Sequence, residues 1–331
     1  MTTVNKTDDH VNKTRHCAFC LKPIENQAIK LCGKCRKRAY CSRECQKTDW
    51  STEGQGHKNW CHLECGEEDI DWKVCTVPGK GLGIIAKRPL PVLYRIMVDG
   101  CCSNENHPGV KDLLPVNGSF GDKFFLNCIG LGENDGGSCL CLRISRANHD
   151  CKPNADHWYD ETFKAVVLFA QRNIAEGEEI TINYQLFDDI SGNVSAATSR
   201  SVLQNKWGIV CAKDCFCYNT QMQTLIARSR ELDEKIFNLA SQAKSQQALE
   251  LVKQLLVNHE ILGSSYLNKK RTLYDGFQVA VMRKNTLGAA KKYIKEVYAI
   301  LSAVLSPESS LVKDKKRLMD DITTHSNYLI H

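Results

Sequence analysis

Eight potential metal donors open the sequence in four pairs: Cys17-x2-Cys20, Cys32-x2-Cys35, Cys41-x3-Cys45 and His57-x3-Cys61. Thiolate and imidazole are soft or borderline donors, and eight of them suffice for two tetrahedral Zn2+ sites. A short gap lets both donors of a pair reach one ion, and the longer gaps let the chain cross between pairs. A segment of roughly 45 residues buries too little apolar surface to fold on its own. Ion binding must then supply much of its folding free energy, on the order of 10 kcal/mol per structural site. His62 and Cys65 stand close behind as alternative donors for the last pair.

A second stretch with chemistry in it is RISRANHDCKPNA, Arg143 to Ala155. Asn, His, Asp, Cys and Pro propagate neither helix nor strand well, so their polar groups must be engaged by something other than a ladder. Three further segments belong beside it. PGKGLGIIA at Pro78 to Ala86 has glycines that let a backbone turn tightly and approach a ligand closely. EGEEITINY at Glu176 to Tyr184 joins a turn to a strand ending in a phenol, and WGIVCAKDCFC at Trp207 to Cys217 adds three thiols.

The elements that position these residues can be read from pattern. Residues 1–16 form a polar lead-in expected to be disordered, and the Cys-rich segment runs from 17 to 65. From Trp72 to about Phe187 the chain reads as short strands broken by turns: KVCTV, GIIAKRPL, FKAVVLFAQ and EITINYQLF. Past Gln221 the apolar spacing becomes helical, as in Leu249, Val252, Leu256 and in Tyr293, Val297, Leu301, and predicts about five helices packed as an antiparallel bundle or solenoid. Ser306-Pro307-Glu308 reads as a helix start. The expected fold is a multidomain α+β protein: a zinc-bound finger at 17–65, a mostly β domain at 72–190, a thiol-bearing segment at 191–220 and an all-α domain at 221–331.

Composition limits the function classes. Apolar residues make up 42% and charged residues 25%, ordinary values for a globular chain. The longest apolar runs, such as AVVLFA, fall far short of the ~20 residues a membrane span needs. The polar beginning MTTVNKTDDH shows no apolar leader, so secretion is not indicated, and eighteen cysteines then read as thiols and metal ligands in a reducing compartment. Residues 1–62 hold 12 Lys+Arg against 6 Asp+Glu, so the whole net charge of +6 lies there. Such a patch suits nucleic acid or an acidic partner, or simply the surface of a lysine-rich zinc module. Cys75, Cys101, Cys102, Cys128, Cys139 and Cys141 show no ligand pairing and are read as buried small apolar residues.

The finger segment, with CSRECQKTDW and HKNWC, resembles the MYND zinc fingers. That resemblance implies interleaved sites: Cys17, Cys20, Cys41 and Cys45 on one zinc, and Cys32, Cys35, His57 and Cys61 on the other. The stretch STEGQG is longer than usual and is expected to bulge. Over residues 72–220, NHDCKPN and EEITINY resemble the SET-domain lysine methyltransferases. With the finger and the helical tail, the whole is similar to the SET-and-MYND group whose C-terminal domain is tetratricopeptide-like.

What that resemblance implies can be stated residue by residue. Lys80, Gly81, Leu82 and Gly83 would line an S-adenosylmethionine site, with Asn148 and His149 fixing the cofactor's two ends. Cys151 would join Cys211, Cys215 and Cys217 around a third zinc in the post-SET segment. Pro153 and Asn154 would hold the loop that makes the family's pseudo-knot. Tyr184 would border the cofactor and act as the catalytic residue, orienting a neutral lysine amine. Asp150 stands where the family usually has Ser and Asn183 where it often has Asp, and the last thiols read C-x3-C-x-C against the common C-x-C-x2-C. The finger precedes PGKGLG instead of being inserted after it, which leaves Met97 to Leu140 short for an insert and expected to shape a substrate groove. The expected function is S-adenosylmethionine-dependent protein-lysine N-methylation by a monomer of the nucleus or cytoplasm. Its partners would be a lysine-bearing protein substrate and a proline-rich peptide at the finger. The alternative is a non-catalytic scaffold adaptor that binds proline-rich partners.

Overall fold

The computed structural model describes residues 15–24, 29–51, 56–131, 137–184 and 195–330. The lead-in up to residue 14 and the middle of STEGQG lie outside the described residues, as do 185–194, which hold the expected junction between the β domain and the segment after it.

The finger is two small hairpins and a helix. Strand β1 (Arg15–His16) pairs antiparallel with β2 (Pro23–Ile24), and β3 (Lys30–Leu31) with β4 (Ala39–Tyr40). Helix α1 (Arg43–Ser51) follows. Its core consists of cysteine thiols with Ala18, Ile24, Ala39 and Tyr40, a small apolar interior for a self-standing fold.

The β domain contains two principal sheets. One has the order β10-β13-β6-β5, built from β5 (Trp72–Val77), β6 (Gly81–Ala86), β10 (Asn148–His149) and β13 (Glu179–Ile182). The other has the order β11-β12-β7, from β7 (Arg95–Gly100), β11 (Ala155–Asp160) and β12 (Ala165–Ala170). A small hairpin, β8 (Cys128–Gly130) with β9 (Ser138–Leu140), follows helix α2 (Phe120–Asn127). The AVVLFA run is continuously apolar because β12 is buried on both faces. Val166, Leu168 and Ala170 enter the core beneath the first sheet, whereas Ala165, Val167 and Phe169 enter a second core shared with the C-terminal helices. Successive strand side chains alternate faces, so one strand serves both cores.

Helix α3 (Ala196–Trp207), capped by Ser195 and ended by Gly208 in the left-handed region, occupies the segment expected to be only a thiol-bearing connection. Five helices then run as α4 (Thr220–Ser241), α5 (Ser245–Leu262), α6 (Tyr266–Ala280), α7 (Leu287–Val304) and α8 (Ser310–Asp320). Each packs against the next. The last begins at Ser310 with Ser309 at its N-cap position, later than the Ser306-Pro307-Glu308 start read from the sequence. Ser306 has other partners: its N–H donates to the Asp160 carboxylate at 2.6 Å, and its hydroxyl accepts from the Glu308 N–H at 3.1 Å. Arg95 binds the end of α7, donating to the carbonyls of Ser302, Val304 and Leu305 at 2.8–2.9 Å. Among the described residues no helix is long and apolar enough to cross a membrane.

Candidate active site and thiolate centres

The turn between β5 and β6 places Gly81 at φ +80°, a conformation glycine adopts without strain. Asn148, on β10, reaches across to this turn. Its amide donates to the Leu82 carbonyl at 3.1 Å and to Glu179 Oε1 at 2.8 Å, while the other oxygen of Glu179 accepts from Lys80 Nζ at 2.7 Å. Three segments far apart in sequence are thereby tied together. Gly83 sits inside the knot: a Cβ there would lie 2.5 Å from Val77 Cγ2, 2.8 Å from Asn148 Nδ2 and 2.9 Å from Glu179 Oε1.

A cavity of about 510 Å³ opens beside this knot, lined by Lys80, Gly81, Leu82, Asn148 and Tyr184 and by residues the sequence reading did not single out, notably Trp207 and Lys206. Asp112, Leu114 and the end of α2 supply the wall opposite. They come from the Met97 to Leu140 stretch expected to shape a groove. The volume falls in the usual range of small-molecule sites. Trp207 closes one side, its indole N–H donating to the Leu126 carbonyl at 2.9 Å and its ring 5.1 Å from that of Tyr184. Nothing in a lone Trp at a helix end marks it from sequence as a cavity wall.

Tyr184 directly follows Ile182 and Asn183 at the end of β13, and its hydroxyl donates to the Ala147 carbonyl at 2.9 Å. Burial, with the charge of Glu179, pushes its phenol up to about 12, so it stays protonated at neutral pH. Gly83 and His149, both assigned to the cofactor by resemblance, stand behind the cavity lining. His149 Nδ1 accepts the Tyr184 N–H at 3.1 Å, which leaves the proton on Nε2, 3.2 Å from Cys151 Sγ. Burial moves this histidine down to about 4, keeping it neutral. Its imidazole therefore links Tyr184 to the thiol cluster. Asn154 is almost fully buried and donates to Glu178 Oε1 at 2.9 Å and the Glu179 carbonyl at 2.7 Å, while accepting from the Thr181 N–H at 2.9 Å. These bonds seat the NHDCKPN segment against β13, beside the parallel pairing of β10 with β13.

Three sets of four donors gather with their ligand atoms within 4.8 Å of one another: Cys17, Cys20, Cys41 and Cys45; Cys32, Cys35, His57 and Cys61; and Cys151, Cys211, Cys215 and Cys217. Sulfur separations of 3.5–3.7 Å within the sets suit the edges of a tetrahedron about an ion bound at roughly 2.3 Å. His62 and Cys65 take no part; the His62 ring lies near Phe163, and Cys65 packs against the core shared with the helices.

In the second set the tautomer of His57 follows from its neighbours. Tyr40 donates its single hydroxyl proton to Asp49 at 2.6 Å, so the 3.1 Å contact between that oxygen and His57 Nδ1 is a donation from the ring. Nε2 is then the lone-pair nitrogen, and it faces Cys35 Sγ at 3.8 Å. Arg38 in turn holds Asp49 by two bonds, at 2.9 and 3.2 Å. Burial, and secondarily the Arg38 charge, lower His57 to about 4, which keeps it neutral as a ligand must be.

The SET-domain family model matches residues 16–185, just over half of the chain, and the chain belongs to the SET-domain family. Its similarity extends to the SET-and-MYND proteins. The chain is 29% identical over 161 residues to the Schizosaccharomyces pombe histone-lysine N-methyltransferase set5, covering 42% of this chain and 48% of that protein. It is 24% identical over 202 residues to human N-lysine methyltransferase SMYD2, covering 51% and 44%. With the S. pombe SET domain and MYND-type zinc finger protein 6 it shares 24% over 212 residues, covering 53% and 39%. The chain thus spans less than half the length of each of these relatives.

Proposed function

We propose that this chain is an S-adenosylmethionine-dependent protein-lysine N-methyltransferase. The observation that carries the reading is the convergence of the Gly81 turn, Asn148 and the Tyr184 phenol on one cavity. The cavity's size, and a wall of backbone without a side chain at Gly81, fit a nucleoside-sized cofactor. Lys80, Gly81, Leu82 and Asn148 would hold it. When bound, S-adenosylmethionine supplies an electrophilic methyl group.

The remaining chemistry belongs to the protein. A free lysine amine has a pKa of about 10.4 and is almost wholly protonated at neutral pH. Desolvation between Trp207, Ile182 and Tyr184 disfavours the ammonium and raises the share of the neutral nucleophile. Tyr184 is no base, since its phenol already carries a proton. With that proton committed to the Ala147 carbonyl, its oxygen lone pairs face an incoming N–H and orient the amine without engaging the amine's own lone pair. Radiolabelled methyl transfer to proteins of a cell extract, followed by mass spectrometry of the modified lysine, tests the reading. Failure to bind the cofactor in calorimetric titration would leave a scaffold adaptor.

We further assign two zinc ions to the MYND-type finger and one to the Cys151 cluster, where α3 and the thiol segment pack over Tyr184. The parallel seating of β10 on β13 supports the pseudo-knot reading. The finger is the proposed docking module for a proline-rich peptide, and eighteen unpaired thiols suit residence in the nucleus or cytoplasm.

A further inference from the structure

A fourth group of sulfurs lies apart from the three sets above. Cys101, Cys139 and Cys141 have their Sγ atoms within 4.8 Å of one another, with Cys139 and Cys141 only 3.4 Å apart. As a sequence the three read as apolar filler, because Cys101 lies far upstream of the other two and only the fold brings it near them. Cys139 and Cys141 are two residues apart, so an extended chain carries both side chains on one face. In the fold β9 ends at Leu140, and Cys141 forms an isolated antiparallel bridge with Cys101, just beyond β7. That bridge brings Cys101 beside the pair.

The surroundings favour an ion over three idle thiols. Cys141 is fully buried and Cys139 nearly so, among Met97, Ile129 and Ile144, while Cys101 is half-buried and gives a route in. Apart from each other, the thiols meet a polar partner only weakly, as in the 3.8 Å contact of Cys141 Sγ with the Asp99 carbonyl. The neighbouring thiol of Cys102 behaves otherwise and turns away to the Asn104 carbonyl at 3.5 Å. The 3.4 Å separation is close to the 3.5–3.7 Å found within the zinc-type sets of this same chain.

We infer that Cys101, Cys139 and Cys141 form a fourth metal site, a three-thiolate centre for a thiophilic d10 ion, Cu+ or Zn2+. Three soft donors and no carboxylate exclude Mg2+, Ca2+ and Mn2+. Binding exchanges the thiol protons, released to solvent, for metal–sulfur bonds, with no change of oxidation state. The ion would staple the β8–β9 hairpin to the end of β7. Cys139 is the register partner of Ile129, which lines the cavity, so the staple would stiffen one cavity wall.

The test is metal content of the full-length, reduced, desalted chain, compared among wild type, Cys101→Ser, Cys139→Ala and the control Cys128→Ser. One arm is saturated with zinc alone, and the other receives one further equivalent of Cu+. The proposal expects wild type and Cys128→Ser to hold one ion per chain more than the two triad variants. A zinc difference identifies Zn2+, and added copper without zinc release identifies Cu+. X-ray absorption of the copper-loaded wild type should then show sulfur neighbours only, a readout that does not depend on any variant folding. Equal metal content in all four proteins in both arms would overturn the site, as would a wild-type mass lighter by two hydrogens, the mark of a disulfide. None of these outcomes depends on methyl transfer.

Discussion

Tyr184 and Ala147 are joined by a hydrogen bond of 2.9 Å from the phenol to the backbone carbonyl, and this bond aims the hydroxyl oxygen at the cavity. Tyr184→Phe removes the oxygen and leaves the ring between His149 and Trp207. Methyl transfer should fall at least about tenfold, the kinetic equivalent of losing one hydrogen bond of ~1.4 kcal/mol in the transition state. Cofactor affinity should stay within about twofold by calorimetry. Undiminished turnover would remove Tyr184 from the mechanism.

Gly83 is a glycine whose neighbours leave no room for a side chain. Gly83→Ala places a methyl 2.5 Å from Val77 Cγ2 and crowds both groups that hold the turn, so Asn148 or Glu179 must move. Stability should drop by about 1–3 kcal/mol in thermal unfolding, as overpacking of a filled site generally does. Cofactor titration should weaken in step. Gly33→Ala, at a position with open space, serves as the neutral comparison.

Tyr40 would act on a finger zinc through His57, whose tautomer it sets. In Tyr40→Phe the ring Nδ1–H loses its acceptor and Asp49 loses a donor, so the tautomer that presents Nε2 is no longer enforced. Competition with a chromogenic chelator should show about 10–100-fold weaker retention of one finger ion, the usual cost of deleting such a partner. The ion held by Cys17, Cys20, Cys41 and Cys45 should be unaffected.

Acid should loosen the helical domain. His259 is buried against Thr272, and burial, with the charges of Lys269 and Arg271, lowers it from 6.5 to about 4. Between those values the unfolded chain takes up a proton that the folded one refuses. Stability is therefore fully present above pH 6.5 and is lost as pH falls towards 4, at up to about 1.4 kcal/mol per pH unit. Thermal unfolding at pH 7.5 and pH 5 should show the fall, and His259→Gln should reduce it.

Much of this was legible in the sequence, for reasons that differ between regions. The finger donors show themselves by pairing within a few residues, a spacing at which two side chains can reach one ion. The strand segments KVCTV and AVVLFA show themselves by β-branched and apolar residues between turns, and the five C-terminal helices by the three- and four-residue spacing of their apolar residues. Helix α3 escaped notice because AATSRSVLQNKW has no clear apolar stripe and lies between thiols that drew attention elsewhere. The start of α8 was misread because Ser306, a good capping residue, is engaged by Asp160, a partner 146 residues away that no local rule can supply. Trp207 as a cavity wall, and His149 as a link behind it, likewise depend on the tertiary approach of distant segments.

Arg95 offers a check on how the helical domain is attached. Arg95→Met retains the length of the side chain but leaves the carbonyls of Ser302, Val304 and Leu305 without their cation. Unmet buried acceptors cost roughly 1–3 kcal/mol each. Amide hydrogen exchange should accelerate at the end of α7 and along β7 while the finger stays unchanged.

The two-sided burial of β12 means that the chain's apparent boundary near residue 220 is a seam only in one dimension. On a ribosome the central β-sheet emerges with Val98, Val167 and Phe169 bare, and it completes its interior only when Phe277, Val297 and Leu301 are synthesised more than a hundred residues after the strands they cover. A fragment cut at that seam would carry an oily sheet face into solution and self-associate, so the β domain is a folding client of its own tail.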